Sequence, residues 1–355
     1  MMNNWNMKRI FCLLAIFFYT FFSLAVWAQE ERDSPRRGEG ISTFLERNKR
    51  PGKTYYTEFL RLNEKKLRGK EELQLGVKYN LPPLKSGRGN QGKEVVKGSS
   101  QKSPAEGRKS VYEPLFGKKL ANVQITSNRL RGACFYIVSG HGGPDPGAIG
   151  KIGKIELHED EYAYDVALRL ARNLLQEGAE VRIIIQDAKD GIRDDHYLAN
   201  SKRETCMKAP IPLNQVARLQ QRCAKINELY KKDRQNYKYC RAIFLHVDSR
   251  SKSHQTDVFF YHSKNKPDSK RLATTMKSTF GSKYGKHQPN RGFTGTVSER
   301  NLYVLANTSP ASVFVELGNI QNSFDQRRFV ISSNRQALAK WLMEGFIIDY
   351  KRIQR

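Results

Sequence analysis

From about residue 120 to residue 350 the chain alternates short apolar, β-branched runs with longer amphipathic ones, and this alternation constrains its fold more than any other feature. The strand-like runs include "CFYIVSG", "AEVRIIIQ", "CRAIFLHV", "TDVFFYHS" and "ASVFVELG". Helical periodicity separates most of them, over Glu159 to Gln176, Leu213 to Tyr230, Ser269 to Phe280 and Arg335 to Asp349. Near-continuous apolar strands need cover on both faces, and helices between successive strands supply it. The pattern predicts an α/β domain with a mostly parallel twisted sheet flanked by helices. A strand pair is expected at its start, around Leu120 to Ser127 and Gly132 to Ser139.

Composition divides the rest. Residues 38–84 carry "GEGISTFLERNKR", "YYTEFLRLNEKKL" and "LQLGVKYNLPP", where Ile41, Phe44 and Leu45, then Tyr55, Phe59 and Leu62, recur at helical spacing. Two short helices with extended pieces make a small α+β accessory module. Residues 85–110 are rich in Gly, Ser, Lys and Arg and bury too little to fold, which predicts a flexible basic linker. The larger domain is expected over residues 111–355. Residues 1–28 carry Lys8 and Arg9, an apolar run from Ile10 to Trp27, and Val26 and Ala28 at the −3 and −1 positions before Gln29. This is the layout of a secretory signal peptide cleaved after Ala28, with a retained membrane anchor as the alternative. It predicts export to the periplasm or cell envelope.

Export changes what the charge means. With 62 Lys and Arg against 35 Asp and Glu, the formal net charge is +27. Outside the membrane the polyanions within reach are anionic envelope polymers and lipid head groups rather than nucleic acid, so the basic linker is read as a contact to them. Cys134, Cys206, Cys223 and Cys240 remain after cleavage. Their even number permits two disulfides in three connectivities, and no CxxC pair points to a cysteine metal site.

The chemistry gathers at strand ends. In "FYIVSGHGGPDPGAIG", His141 follows a strand and sits in a glycine- and proline-rich loop shaped for close approach, whose glycines are expected to leave room for water and a bulky substrate. His246 ends "RAIFLH" and Glu316 ends "ASVFVE", both at carboxyl ends where open α/β sheets place their sites. A single histidine there reads first as a packing residue. Glu159 changes the balance, because stepping back four residues from Ala163 on the stripe of Ala163, Val166, Leu170 and Leu174 puts its carboxylate on the buried face. A buried carboxylate needs a cation or strong donors, from a helix N-terminus or from a metal. His158 and Glu161 fall on other faces of that helix and Glu156 precedes it, so they read as exposed or capping residues. Two imidazoles and one carboxylate match the ligand set of a catalytic Zn2+ site with one position open for water. Glu316 is then the candidate general base and acid, with pairing to an arginine as the alternative.

"SGHGGPDPGAIG", "HEDEYAYDVALRLARNL", "IFLHVDS" and "ASVFVELGNIQN" resemble, in order and spacing, the motifs of the zinc-dependent N-acetylmuramoyl-L-alanine amidases that cut bacterial peptidoglycan. The resemblance spans about Leu120 to Tyr350. It implies zinc ligands at His141, Glu159 and His246, with Glu161 the alternative on the stretched helix start, and a catalytic glutamate at Glu316. The implied substrate is peptidoglycan and the implied reaction is hydrolysis of the amide joining N-acetylmuramic acid to L-alanine. Two rivals remain open: a zinc peptidase cutting within the stem peptide, and a non-catalytic wall-binding protein. Residues 38–84 resemble a divergent LysM module, with Gly38-Glu39-Gly40 in place of the usual Gly-Asp-Thr start.

Overall fold

The computed structural model describes residues 31–36, 39–50, 53–67, 73–84 and 109–354. The expected signal peptide, and most of the expected linker, lie outside these residues. Among the described residues, no helix is long and apolar enough to cross a membrane. The chain divides into two compact units, Met1–Lys97 and Gly98–Arg355.

In the first unit the strand Arg32–Asp33 pairs antiparallel with Tyr79–Asn80, and between them run the helices Ile41–Arg47, Lys53–Leu62 and Glu64–Leu67. The module therefore takes its first strand from before residue 38. Two-residue strands carry no periodicity, which is why the pattern did not show it. The core is an aromatic trio, Phe44, Phe59 and Tyr79, with ring centroids 5.7–6.3 Å apart. Ile41, Leu45, Leu67 and Leu81 close around it. Each buried ring contributes about 1.5–3 kcal/mol, which suits so small a unit.

The second unit is built on a six-stranded sheet. In spatial order its strands are Val297–Glu299, Phe259–His262, Ala311–Asn319, Tyr239–Asp248, Ala133–Ser139 and Glu180–Ile183. Every neighbouring pair is parallel except Phe259–His262 against Ala311–Asn319. Side chains alternate between two apolar layers. Phe135, Ile137, Ile243, Leu245, Val313 and Val315 enter one, whereas Tyr136, Val138, Ala242, Phe244 and Phe314 enter the other. The helices Glu159–Gln176, Pro267–His287 and Ser332–Ile353 supply buried side chains to the first layer. Helices Gln215–Asp233 and Tyr303–Asn307 supply the second. Burial on both faces explains the near-continuous apolar strands.

One expectation changes, and two further features come into view. The strand Asn122–Gln124 does form, but it pairs with Ser110–Tyr112 and not with the strand leading to His141. The latter takes Tyr239–Asp248 and Glu180–Ile183 as partners, and buries all seven of its residues. Second, a hairpin of Ile149–Ile152 and Ile155–His158 leads directly into the helix at Glu159. Third, the four cysteines are all buried free thiols, Cys134 and Cys240 being register neighbours on adjacent strands.

Candidate functional site

His246 and Glu316 are register partners on adjacent parallel strands. They share the parity of Phe244 and Phe314 and so project to the same side of the sheet. Immediately beyond His246 the register slips, between His246 and Asp248. Such irregularities re-aim side chains at strand ends. The His246 ring lies flat on Phe314, with centroids 4.2 Å apart and planes 17° from parallel.

His141 reaches the same place from the next strand. Its backbone adopts φ 57°, a left-handed conformation uncommon for a residue with a Cβ, and Gly142, Gly143 and Gly147 are also left-handed. Two of the loop's glycines make room for the site's own side chains. A Cβ at Gly140 would lie 2.3 Å from His246 Cε1, and one at Gly147 would lie 2.7 Å from both Glu159 Oε2 and His141 Cδ2.

Glu159 opens its helix and is 4 % exposed. Its backbone N–H donates to the Ala148 carbonyl at 3.0 Å, while Oε2 accepts from Ala148 N–H at 2.8 Å, so the loop after His141 fixes both ends of the residue. Oε1 accepts from Val247 N–H at 3.0 Å and lies 2.9 Å from His246 Nδ1 and 3.3 Å from His141 Nε2. Across the three side chains, one ligand atom from each lies within 4.8 Å of the others. Burial opposes the charge on Glu159, but the two imidazoles prevail and hold its carboxyl far below the usual range.

Burial likewise opposes the imidazolium of His141, yet its contacts with Asp145 and Glu159 raise the group to about 10. In His246 burial wins, and the pKa is lowered despite Glu159. Glu316 is partly exposed as a residue, but its Oε2 is buried without a hydrogen-bond partner. Burial first, then the carboxylates of Glu159 and Asp248, push its carboxyl well above the ordinary value. A buried oxygen without a donor, facing a converging His–Glu–His set, is the donor chemistry that a divalent metal and a bound water would satisfy.

The alternative at the helix start separates on partners rather than on burial. The helix is buried all round from Glu159 to Ala171, so Glu161 is not the exposed residue that helical phase predicted. Instead Glu161 Oε2 pairs with Arg193 at 2.8 Å, and Oε1 accepts from Ser201 N–H. His158 is buried and bonds Asn200 at 2.9 Å, whereas Glu156 is exposed.

Several residues not singled out from the sequence support the site. His141 Nδ1 bonds Asp145 Oδ2 at 2.9 Å, which leaves Nε2 facing Glu159. Asp145 is held in turn by Arg218 at 2.7 Å, and its carboxyl is drawn down to about 2, first by His141. Arg222, 4 % exposed, donates to the His141 carbonyl. Asp145 stands four residues after His141 in a glycine-proline loop and was legible in principle; Arg218 and Arg222 lie on a helix whose periodicity reports only packing.

Residues 136–347 match the family described as N-acetylmuramoyl-L-alanine amidase. The chain belongs to this family. The same region is similar to the probable cell wall amidase LytH of Staphylococcus epidermidis, at 26% identity over 225 residues, 63% of this chain and 61% of the relative. It is equally similar to the uncharacterized protein YqiI of Bacillus subtilis, at 26% identity over 227 residues, 64% of this chain and 89% of that one. The chain thus spans about three fifths of the LytH relative. Among solved structures, it is similar to the amidase AmiC2 of Nostoc punctiforme, at 20% identity and a TM-score of 0.43, covering 64% of this chain and 99% of that one.

Proposed function

We propose that this family member hydrolyses the amide between the lactyl group of N-acetylmuramic acid and L-alanine in peptidoglycan, with zinc held by His141, Glu159 and His246 and with Glu316 as the proton carrier. The observation that carries the reading is the convergence of three ligand atoms within 4.8 Å beside a buried, partnerless Glu316 oxygen. A zinc ion in such a site supplies Lewis acidity, polarising a carbonyl and making water acidic enough to attack near neutrality.

The chain's own residues do the rest. Asp145 and Arg218 fix the His141 ring with Nε2 inward, and Phe314 fixes the plane of His246. Hydrogen bonds that orient a metal-binding imidazole, as Asp145 does for His141, typically govern metal affinity 10- to 100-fold. Glu316 takes the proton from the attacking water as its oxygen bonds the carbonyl carbon, and returns it to the alanine nitrogen as the C–N bond breaks. Proton transfer of this kind contributes about 10²- to 10⁴-fold.

The name of the LytH relative, a probable cell wall amidase, supports an envelope role. Export by the N-terminal segment, glycan contact by the first unit and attraction of the basic linker to anionic polymers complete the proposal. Digestion of purified peptidoglycan, with muropeptides resolved by chromatography and mass, tests it. Free stem peptides beginning at L-alanine, lost with chelator, are expected. Cuts between amino acids would assign a peptidase, and metal-free protein inert after zinc addition would assign a wall-binding role.

A further inference from the structure

Beside the His141–Glu159–His246 centre lies a second group of ligand atoms that this reading does not use. Asp160, Glu161 and Glu204 are 3 %, 1 % and 7 % exposed, and one carboxylate oxygen from each lies within 4.8 Å of the others. Three buried carboxylates at such separations repel strongly unless protons or cations intervene. Among the described residues, the only ion pair reaching the group is that of Arg193 with Glu161, and Arg193 is shared with Asp190 at 3.1 Å.

A second observation singles out Asp160. Its Oδ1 accepts from Glu161 N–H at 2.9 Å, but Oδ2 is buried and has no hydrogen-bond partner. Glu204 spends one oxygen on Gly143 N–H, at 2.8 Å. Both oxygens of Glu161 have donors, Arg193 and Ser201 N–H, so the orphan of the group is Asp160 Oδ2, and its ligand atoms are all oxygens.

We infer that Asp160, Glu161 and Glu204 form a second cation site, for a hard, oxygen-preferring divalent ion of the calcium, magnesium or manganese class. Soft or imidazole-preferring metals are disfavoured by an all-carboxylate set. The ion joins three pieces of chain that meet around the first centre. Asp160 and Glu161 lie in the first turn of the Glu159 helix, Glu204 in the polar segment before the Gln215–Asp233 helix, and Gly143 in the His141 loop. Its role is to order this wall of the site, and it does not depend on which metal His141, Glu159 and His246 hold.

The test uses the zinc-loaded full chain. Titration with calcium, magnesium and manganese chlorides in turn, followed by calorimetry and elemental analysis, should show one further equivalent of at least one ion bound, with a raised melting temperature. Asp160→Asn and Glu204→Gln should each weaken that uptake about tenfold or more while zinc content stays at one; even outer-shell partners of a metal act on that scale. Glutamine at 204 retains the acceptor for Gly143 N–H. His141→Ala should lose zinc and keep the second ion, which separates the two sites. Absence of further uptake with all three ions overturns the inference, as does unchanged uptake in both carboxylate variants. An infrared band of a protonated carboxyl in the wild type, abolished in Asp160→Asn, would also overturn it by assigning a proton in place of the ion. Circular dichroism identifies any variant that fails to fold, and the other then decides.

Discussion

Replacing Gly140 with alanine should damage the site without replacing any group that acts in it. The added Cβ would lie 2.3, 2.4 and 2.7 Å from Cε1, Nδ1 and Nε2 of His246. The shortest of these is more than 1 Å inside the optimum for carbon contacts, about 3.5 Å. The glycine cannot easily retreat, because its N–H donates to the Leu245 carbonyl at 2.7 Å. Nor can the imidazole move freely, stacked as it is on Phe314 and bonded to Glu159. Overpacking of this kind costs about 1–3 kcal/mol. At about 2–4 °C per kcal/mol for a domain of this size, melting should fall by roughly 2–12 °C. A ring displaced by about 1 Å should cost about 100-fold in turnover. Gly285→Ala is the control, since nothing lies within 4 Å of its Cβ and it sits in an exposed helical turn. Zinc content, melting and peptidoglycan turnover are to be measured for both. A Gly140→Ala protein with wild-type turnover and zinc content would refute the assignment of this glycine to His246 clearance.

Other outcomes follow from the same geometry. Gly285→Ala itself should stabilise the helix by about 0.5–1 kcal/mol, read as a higher urea midpoint at unchanged slope. Glu316→Gln should keep zinc, by elemental analysis, but lose about 10²- to 10⁴-fold in turnover; retained activity would remove it from the mechanism. Arg335→Met should destabilise by about 3 kcal/mol in urea unfolding, because Arg335 and Asp165 are both fully buried and 2.6 Å apart, although Arg169 still serves the aspartate. Glu177 is held below its ordinary value, chiefly by Arg129, so its stabilisation is complete above about pH 4.3 and is lost as pH falls below that; Glu177→Gln should flatten the acid limb of stability against pH.

The sheet was legible because strands buried on both faces must be apolar almost throughout, and the Glu159–Gln176 helix because its apolar stripe is long. His141, His246 and Glu316 were legible as polar residues breaking such runs at strand ends. The partner of the His141 strand was not, since two strands close in sequence suggest a hairpin, whereas the long-range parallel register with Tyr239–Asp248 is set by packing. Helical phase selected Glu159 over Glu161 and assumed an exposed far side. That side is covered, so it is the partners, Arg193 and Ser201 for Glu161 and the imidazoles for Glu159, that distinguish the two residues. Arg218, Arg222 and Glu204 come from helical and polar segments whose patterns carry no mark of what they face. The short strand Arg32–Asp33 has too few residues for any period.

The account's central claim is tested most directly by digesting purified peptidoglycan in ¹⁸O-labelled water and locating the label by mass spectrometry. Hydrolysis at the muramoyl–alanine amide predicts ¹⁸O in the lactyl carboxylate, unlabelled stem peptides with a free alanine amine, and loss of both products with chelator. Label in a peptide carboxylate, or labelling that persists when the metal is removed, would contradict it.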